Sequence, residues 1–145
     1  MFAAAQDDDV NVDPDSEVSQ EKDTVSSALE AIVRAAWEGN ATAQNGMGVF
    51  ERELGGDPLE AIKWFRKAAD QGHASAQFNL GVMYIKGKGV IQDYMMAHMY
   101  TNLAASNGLE NADHIRDTLA TIMTPDQIGK AQQMAREWTD THPRQ

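Results

Sequence analysis

The sequence predicts an all-α array of about seven helices, stacked in antiparallel pairs. Three observations predict it. First, the chain repeats itself. AxAQxxxG at Ala41 to Gly48 returns at Ala74 to Gly81, 33 residues on, and DxxxAxxxxxxAAxxG at Asp57 to Gly72 returns at Asp93 to Gly108, 36 residues on. The offsets differ by three, so the connector of the first copy is three residues shorter. A unit of this size cannot bury its apolar face alone and must stack on its neighbours. Second, apolar residues recur at helical spacing through each unit. Third, no strand-like alternation with turn spacing occurs anywhere in the sequence.

The elements follow in order. Val25, Ala28, Leu29, Ile32, Val33, Ala36 and Trp37 share one face of a helix over about 24–38. Ser27 and Glu30 have capping-box spacing, and Gly39 can supply the left-handed residue that ends the helix. Ala28, Ala35, Ala36 and Gly39 match Ala61, Ala68, Ala69 and Gly72 at an offset of 33, so this helix reads as the second of a repeat that lacks its first. Two full pairs come next, over about 40–54 and 57–71, then about 73–86 and 92–107. Asp57-Pro58 starts a helix with a cap and a proline at the first helical position. Gly55-Gly56 turns one connector; Gly87, Gly89 and the segment Val90 to Asp93 turn the other. Ala112, Ile115, Leu119 and Ile122 mark a sixth helix. Thr124-Pro125-Asp126-Gln127 starts a seventh, striped by Ile128, Ala131, Met134, Ala135 and Trp138. The expected organisation is a disordered acidic tail over 1–23, a half repeat over 24–39, repeats over 40–72 and 73–108, a C-terminal cap over 109–140 and a flexible end over 141–145.

Gly48 and Gly81 fall mid-helix, where each costs about 1 kcal/mol relative to alanine. Close approach of two backbones would offset that. Ala43, Ala68, Ala69, Ala76, Ala104 and Ala105 fit the same role. Met47, Leu54, Trp64, Leu80, Tyr84 and Tyr100 are expected to fill the remaining space, with Trp64 and Tyr100 at matching positions.

The run Ala76 to Tyr84, then Gly87-Lys88-Gly89-Val90, then Asp93, Ala97, Tyr100, Ala104, Ala105 and Gly108, resembles the Sel-one-like repeat, whose unit reads roughly AxxxLGxxYxxGxGVxxDxxxAxxWxxxAAxxG. The piece from Arg116-Asp117 through Met123 to Ile128 and on to Ala135-Arg136-Glu137-Trp138 resembles the cap common in bacterial members. The first copy departs from the pattern: Gly46 and Met47 stand where the second has Asn79 and Leu80, and its connector lacks GxGV. The resemblance implies a right-handed superhelix related to tetratricopeptide arrays. It also implies a scaffold or adaptor that binds other proteins, often at the bacterial envelope.

Composition narrows the chemistry. Hydrophobic residues make up 42%, ordinary for a globular domain. No apolar run approaches the roughly 20 residues of a membrane span. The absence of cysteine excludes disulfides and thiolate zinc sites. Of the net charge of -10, residues 1–23 contribute -7 (eight carboxylates and Lys22), which leaves -3 for the rest. An acidic chain with no basic patch is expected to disfavour nucleic acid and anionic membrane as partners. Phe2-Ala3-Ala4-Ala5-Gln6 resembles the end of a secretory signal, which points to a periplasmic or secreted setting, with the cytoplasm as the alternative.

No site for catalysis emerges. His73, His98, His114 and His142 form no HExxH arrangement. His98 beside Met95, Met96 and Met99 has the donor types of a copper(I) site, but methionine at helical spacing is more often core. Gly87-Lys88-Gly89 joins two helices with no preceding strand, so it is not a phosphate loop. Asn40-Ala41-Thr42 matches a glycosylation triplet but reads as a helix start. No catalytic residue, metal ligand or cofactor is expected, and the chain reads as a non-enzyme. A binding surface is argued from what packing leaves over. In tetratricopeptide-like arrays the first helices line the inner wall. Phe78, Val82 and Met83 are variable positions that are nonetheless apolar, and Asn45, Val49 and Phe50 are their equivalents one repeat earlier. These six form the expected strip for a partner peptide or protein. The expected function is an envelope adaptor. The alternative is an immunity or inhibitor protein that blocks a toxin or enzyme, and the weaker one is an envelope enzyme or metal carrier.

Overall fold

Short polar side chains and prolines mark where the helices begin. In a computed structural model that describes residues 13–144, they give α1 Pro14–Trp37, α2 Ala41–Glu53, α3 Pro58–Asp70, α4 Ala74–Lys86, α5 Tyr94–Ser106, α6 Ala112–Ala120 and α7 Pro125–Thr141. Asp57 accepts from Leu59 N, Asp93 from Met95 N and Met96 N, and Asn40 from Ala43 N. Thr124 and Gln127 complete a reciprocal capping box ahead of α7. His73 Nδ1 caps α4 by accepting from Ala76 N at 3.2 Å. Left-handed glycines follow the helices at Gly39, Gly72, Gly87 and Gly108.

One boundary differs from the sequence reading. α1 begins at Pro14, so residues 14–23, expected within a disordered tail, are helical, and Ser27 and Glu30 lie inside a helix instead of capping one. Asp13 Oδ1 accepts from Asp15 N at 3.0 Å, proline follows Asp13, and Asp15 and Glu17 sit at the positive end of the helix dipole. A dense run of carboxylates argues against burial, not against an exposed helix; residues 13–34 are all exposed. Residues 1–12, with the remainder of the expected tail and the signal-like Phe2 to Gln6, lie outside the described residues, as does Gln145.

The chain divides into two units, residues 1–31 and 32–145. The second holds two packed helix pairs, α2/α3 and α4/α5, and a closing pair, α6 and α7, that both pack on α5. Gly48 and Gly81 show why small residues recur. A Cβ on Gly48 would lie 2.5 Å from the Phe65 ring, and one on Gly81 would lie 2.9 Å from Thr101 Cγ2. Phe65 and Thr101 are themselves equivalent at an offset of 36, so each repeat closes the same contact with a different partner. Gly89 (φ +71) has no room for a side chain: a Cβ there would lie 2.6 Å from Pro58 O, which seats the α4–α5 connector on the start of α3. Leu54, expected to fill the core, is exposed at the end of α2. Trp64, Leu80, Tyr84 and Tyr100 are buried as expected.

A polar relay ties each repeat to the one before. Gln44 Nε2 donates to Ala36 O at 3.1 Å, and its equivalent Gln77 donates to Ala69 O at 3.3 Å. Gln71, which ends α3, donates to Gln44 Oε1 at 2.8 Å, and its equivalent Asn107 donates to Gln77 Oε1 at 2.9 Å. The glutamine of AxAQ therefore serves two helices at once. Ala36 takes the same part as Ala69, which makes the end of α1 the second helix of a repeat without a first.

Candidate interaction surface

The first helices α2, α4 and α6 form one wall. The repeat register places Asn45, Phe78 and His114 at one level, and Gly46, Asn79 and Ile115 at the next. Two clefts open along it. One, of about 450 Å³, lies between α4 and α6 and is lined by Phe78, Asn79, Leu109, His114 and Ile115. The other, of about 380 Å³, lies between α2 and α4 and is lined by Arg52, Phe78, Asn79, Val82, Lys86 and Lys88. Phe78 and Asn79 border both.

Asn79 is fixed from two sides. Its Nδ2 donates to Asn45 Oδ1 at 3.0 Å, and its Oδ1 accepts from Arg52 Nη1 at 2.9 Å. Arg52 also pairs with Glu53 at 2.7 Å and lies 5.6 Å above the Phe65 ring. The guanidinium is thus anchored on a core aromatic where it lines the cleft.

The six expected binding residues separate. Phe78 and Val82 are half-buried; Phe78 lines both clefts and Val82 the one between α2 and α4. Asn45 belongs to the polar bridge between α2 and α4. Val49 packs against the core. Phe50 is 45% exposed and lines neither cleft. Met83 also borders the cleft between α2 and α4, but at 1% exposure nearly all of its side chain is in the core. Leu80, Met83 and Tyr84 stand at i, i+3 and i+4, so all three face the same packed side. That spacing was a readable signal for burial. Asn79, Arg52, Lys86 and Lys88 were not anticipated, because the cleft assembles them from two repeats.

His98 occupies the place that Ile62 fills one repeat earlier. It is 3% exposed, and its Nδ1 has no hydrogen-bond partner among the described residues. Burial first, and then the nearby Arg116 charge, hold its pKa below the usual 6.5, against a smaller opposing pull from Asp117. Met99 is buried beside it, and Met95 and Met96 pack against the core, so these thioethers serve packing. Tyr84 and Tyr100 stack at 5.9 Å, and burial together with Tyr84 pushes the Tyr100 phenol up to about 12. Among the described residues, no three His, Asp or Glu side chains are gathered as metal ligands.

Stacked helix pairs that present a continuous wall of first helices define a helical-repeat scaffold. The Sel1 repeat model matches residues 41–73 and 74–109, so the chain carries two Sel1 repeats. Two solved structures share the fold. The crystal structure of c5321, a protective antigen of uropathogenic Escherichia coli strains displaying an SLR fold, aligns with TM-score 0.73 and 29% identity over 79% of this chain and 26% of that one. A Sel1 repeat protein from Oxalobacter formigenes aligns with TM-score 0.60 and 26% identity over 83% of this chain and 54% of that one. The DAP3-binding cell death enhancer 1 of Rattus norvegicus is 38% identical over 96 residues, 66% of this chain. This chain spans 19% of that relative's length. Among the described residues, no helix is long and apolar enough to cross a membrane.

Proposed function

We propose that the chain is an adaptor that holds a peptide or short helix of a partner protein along the wall of α2, α4 and α6. Sel1-repeat proteins act in protein–protein interaction. The observation that carries the finer reading is Phe78: a half-buried aromatic shared by two adjoining clefts, flanked by the Asn79 amide. Large rigid aromatics beside fixed polar groups are the usual anchors of protein interfaces. The rat relative carries protein binding in its name, which supports the same use of a related array. We place this activity in a bacterial envelope or secreted setting, supported by the signal-like run Phe2 to Gln6 and testable by cell fractionation.

The test is capture of partners by wild type and by Phe78→Ser with Val82→Ser, scored by mass spectrometry. Specific partners are lost from the double variant while its melting temperature stays within several degrees of wild type. Equal capture by a folded double variant would defeat the assignment.

A further inference from the structure

The cleft between α2 and α4 has a charge opposite in sign to that of the chain. The protein carries 22 acidic and 12 basic residues, yet Arg52, Lys86 and Lys88 all line this cleft. The acid that lines it, Glu53, is already paired with Arg52. Lys86 and Lys88 are exposed and have no ion-pair partner among the described residues. The backbone around them is held in place. Lys88 N donates to Met83 O at 3.1 Å, and Lys88 sits between Gly87 (φ +64) and Gly89 (φ +71), the latter clamped against Pro58. The connector therefore fixes where the ammonium starts from. The first repeat, with its shorter connector Leu54-Gly55-Gly56, offers no lysine there, so the feature occurs at one place on the wall. The floor between the charges is apolar, from Phe78 and Val82. Asn79 uses one Nδ2 hydrogen on Asn45 and keeps the other for a peptide carbonyl.

We infer that this cleft takes an acidic, extended segment of a partner protein, its carboxylates on Lys86 and Lys88 and an apolar side chain on Phe78 and Val82. The inference rests on the reading of the wall as a protein-binding surface and adds the chemistry of the occupant. The absence of a basic run in the sequence concealed it, since the three cations come from two helices and a connector.

Fluorescence anisotropy on the full chain tests it with two labelled synthetic peptides, one alternating Glu and Leu around a Phe, the other with Lys in place of each Glu. The acidic probe binds, the basic one does not, and added salt weakens binding steeply. Lys86→Gln with Lys88→Gln lowers affinity for the acidic probe at least about tenfold and leaves the melting curve in place, since both side chains are exposed. Equal binding of both probes, or no effect of the lysine substitutions, overturns the inference. If Phe78→Ser abolishes binding of both probes while the lysines are indifferent, the wall still binds proteins and only the acidic preference falls. If Phe78→Ser is also without effect, the wall itself falls as the site. If the acidic probe binds only after Asp7, Asp8 and Asp9 are changed to Asn, the occupant is this chain's own segment and the partner reading is overturned.

Discussion

Gly48 and Gly81 hold equivalent places, yet they should tolerate a methyl group differently. At Gly48 the new Cβ meets the ring of Phe65, which is itself fully buried and has nowhere to go. At Gly81 it meets one methyl of Thr101, with Ala97 O at 3.3 Å. Alanine contributes about 1 kcal/mol of helix propensity at either site, while overpacking costs about 1–3 kcal/mol. Gly48→Ala is therefore expected to destabilise by up to about 2 kcal/mol in urea denaturation, and Gly81→Ala by less. Thr101→Ser, which removes the opposing methyl, should restore part of the loss in Gly81→Ala and none in Gly48→Ala. Equal costs at the two glycines would contradict the contact geometry. The buried glutamines carry a second expectation. Gln77→Leu takes from Asn107 Nδ2 its acceptor and leaves Ala69 O with the backbone N–H of Gly72, so a loss of about 1–3 kcal/mol should appear in the same assay. The close approach at Gly48 and Gly81 was legible from the repeat, because glycine weakens the middle of a helix and recurs there only where a neighbour needs the space. The relay was not, because its partners lie 27 to 30 residues apart and only the folded repeat joins them.

At the scale of the element, the starts of α3, α5 and α7 were legible because a cap is local: Asp57, Asp93 and Thr124 each bond to a backbone N–H within three residues. The start of α1 was not, because composition speaks to burial and is silent on an exposed helix. The depth of Met83 was hidden for a related reason: a position that varies between repeats can still face the core. α4 adds a pH dependence through its cap. His73 Nδ1 must be unprotonated to accept from Ala76 N, and burial lowers its pKa below 6.5. His98, lowered by burial and Arg116, works in the same direction. Both groups bind protons in the unfolded chain before they do in the folded one. Their contribution is thus fully present above the unfolded value near 6.5 and is lost as pH falls below it toward the folded values. The melting temperature should fall from about pH 7 to about pH 5, ahead of the carboxylate range. His73→Asn, which keeps a capping acceptor that does not titrate, should flatten part of that slope. A slope unchanged in His73→Asn and in His98→Leu would remove histidine as its source.

At the scale of the whole molecule, the array in residues 32–145 is closed by its last pair. Each helix pair rests on its neighbours, so a missing neighbour should be costlier than any single substitution. α5 buries Ala97, Met99, Tyr100, Leu103 and Ala104, and it meets α4 on one side and α6 and α7 on the other. Leu119, Met123, Ala131 and Ala135 of the closing pair and its turn belong to the same core cluster. Beyond that core, α7 is polar on its outer side, with Asp126, Lys130, Arg136 and Glu137 exposed. A chain ended after Gly108 keeps both matched repeats nearly whole but uncovers the far side of α5. If the repeats were stable units in themselves, this truncation would stay monomeric and melt cooperatively. The packing predicts otherwise: loss of a cooperative thermal transition by circular dichroism and self-association by size-exclusion chromatography, because a freshly exposed apolar face of a solenoid acts as an interface. Ending the chain instead after His142 removes the exposed Pro143 and Arg144 with the last residue, and should leave the transition within a few degrees of wild type. The contrast between the two truncations places the stability of the array in the contact between α5 and its closing pair, and a soluble, cooperatively folding first truncation would refute that placement.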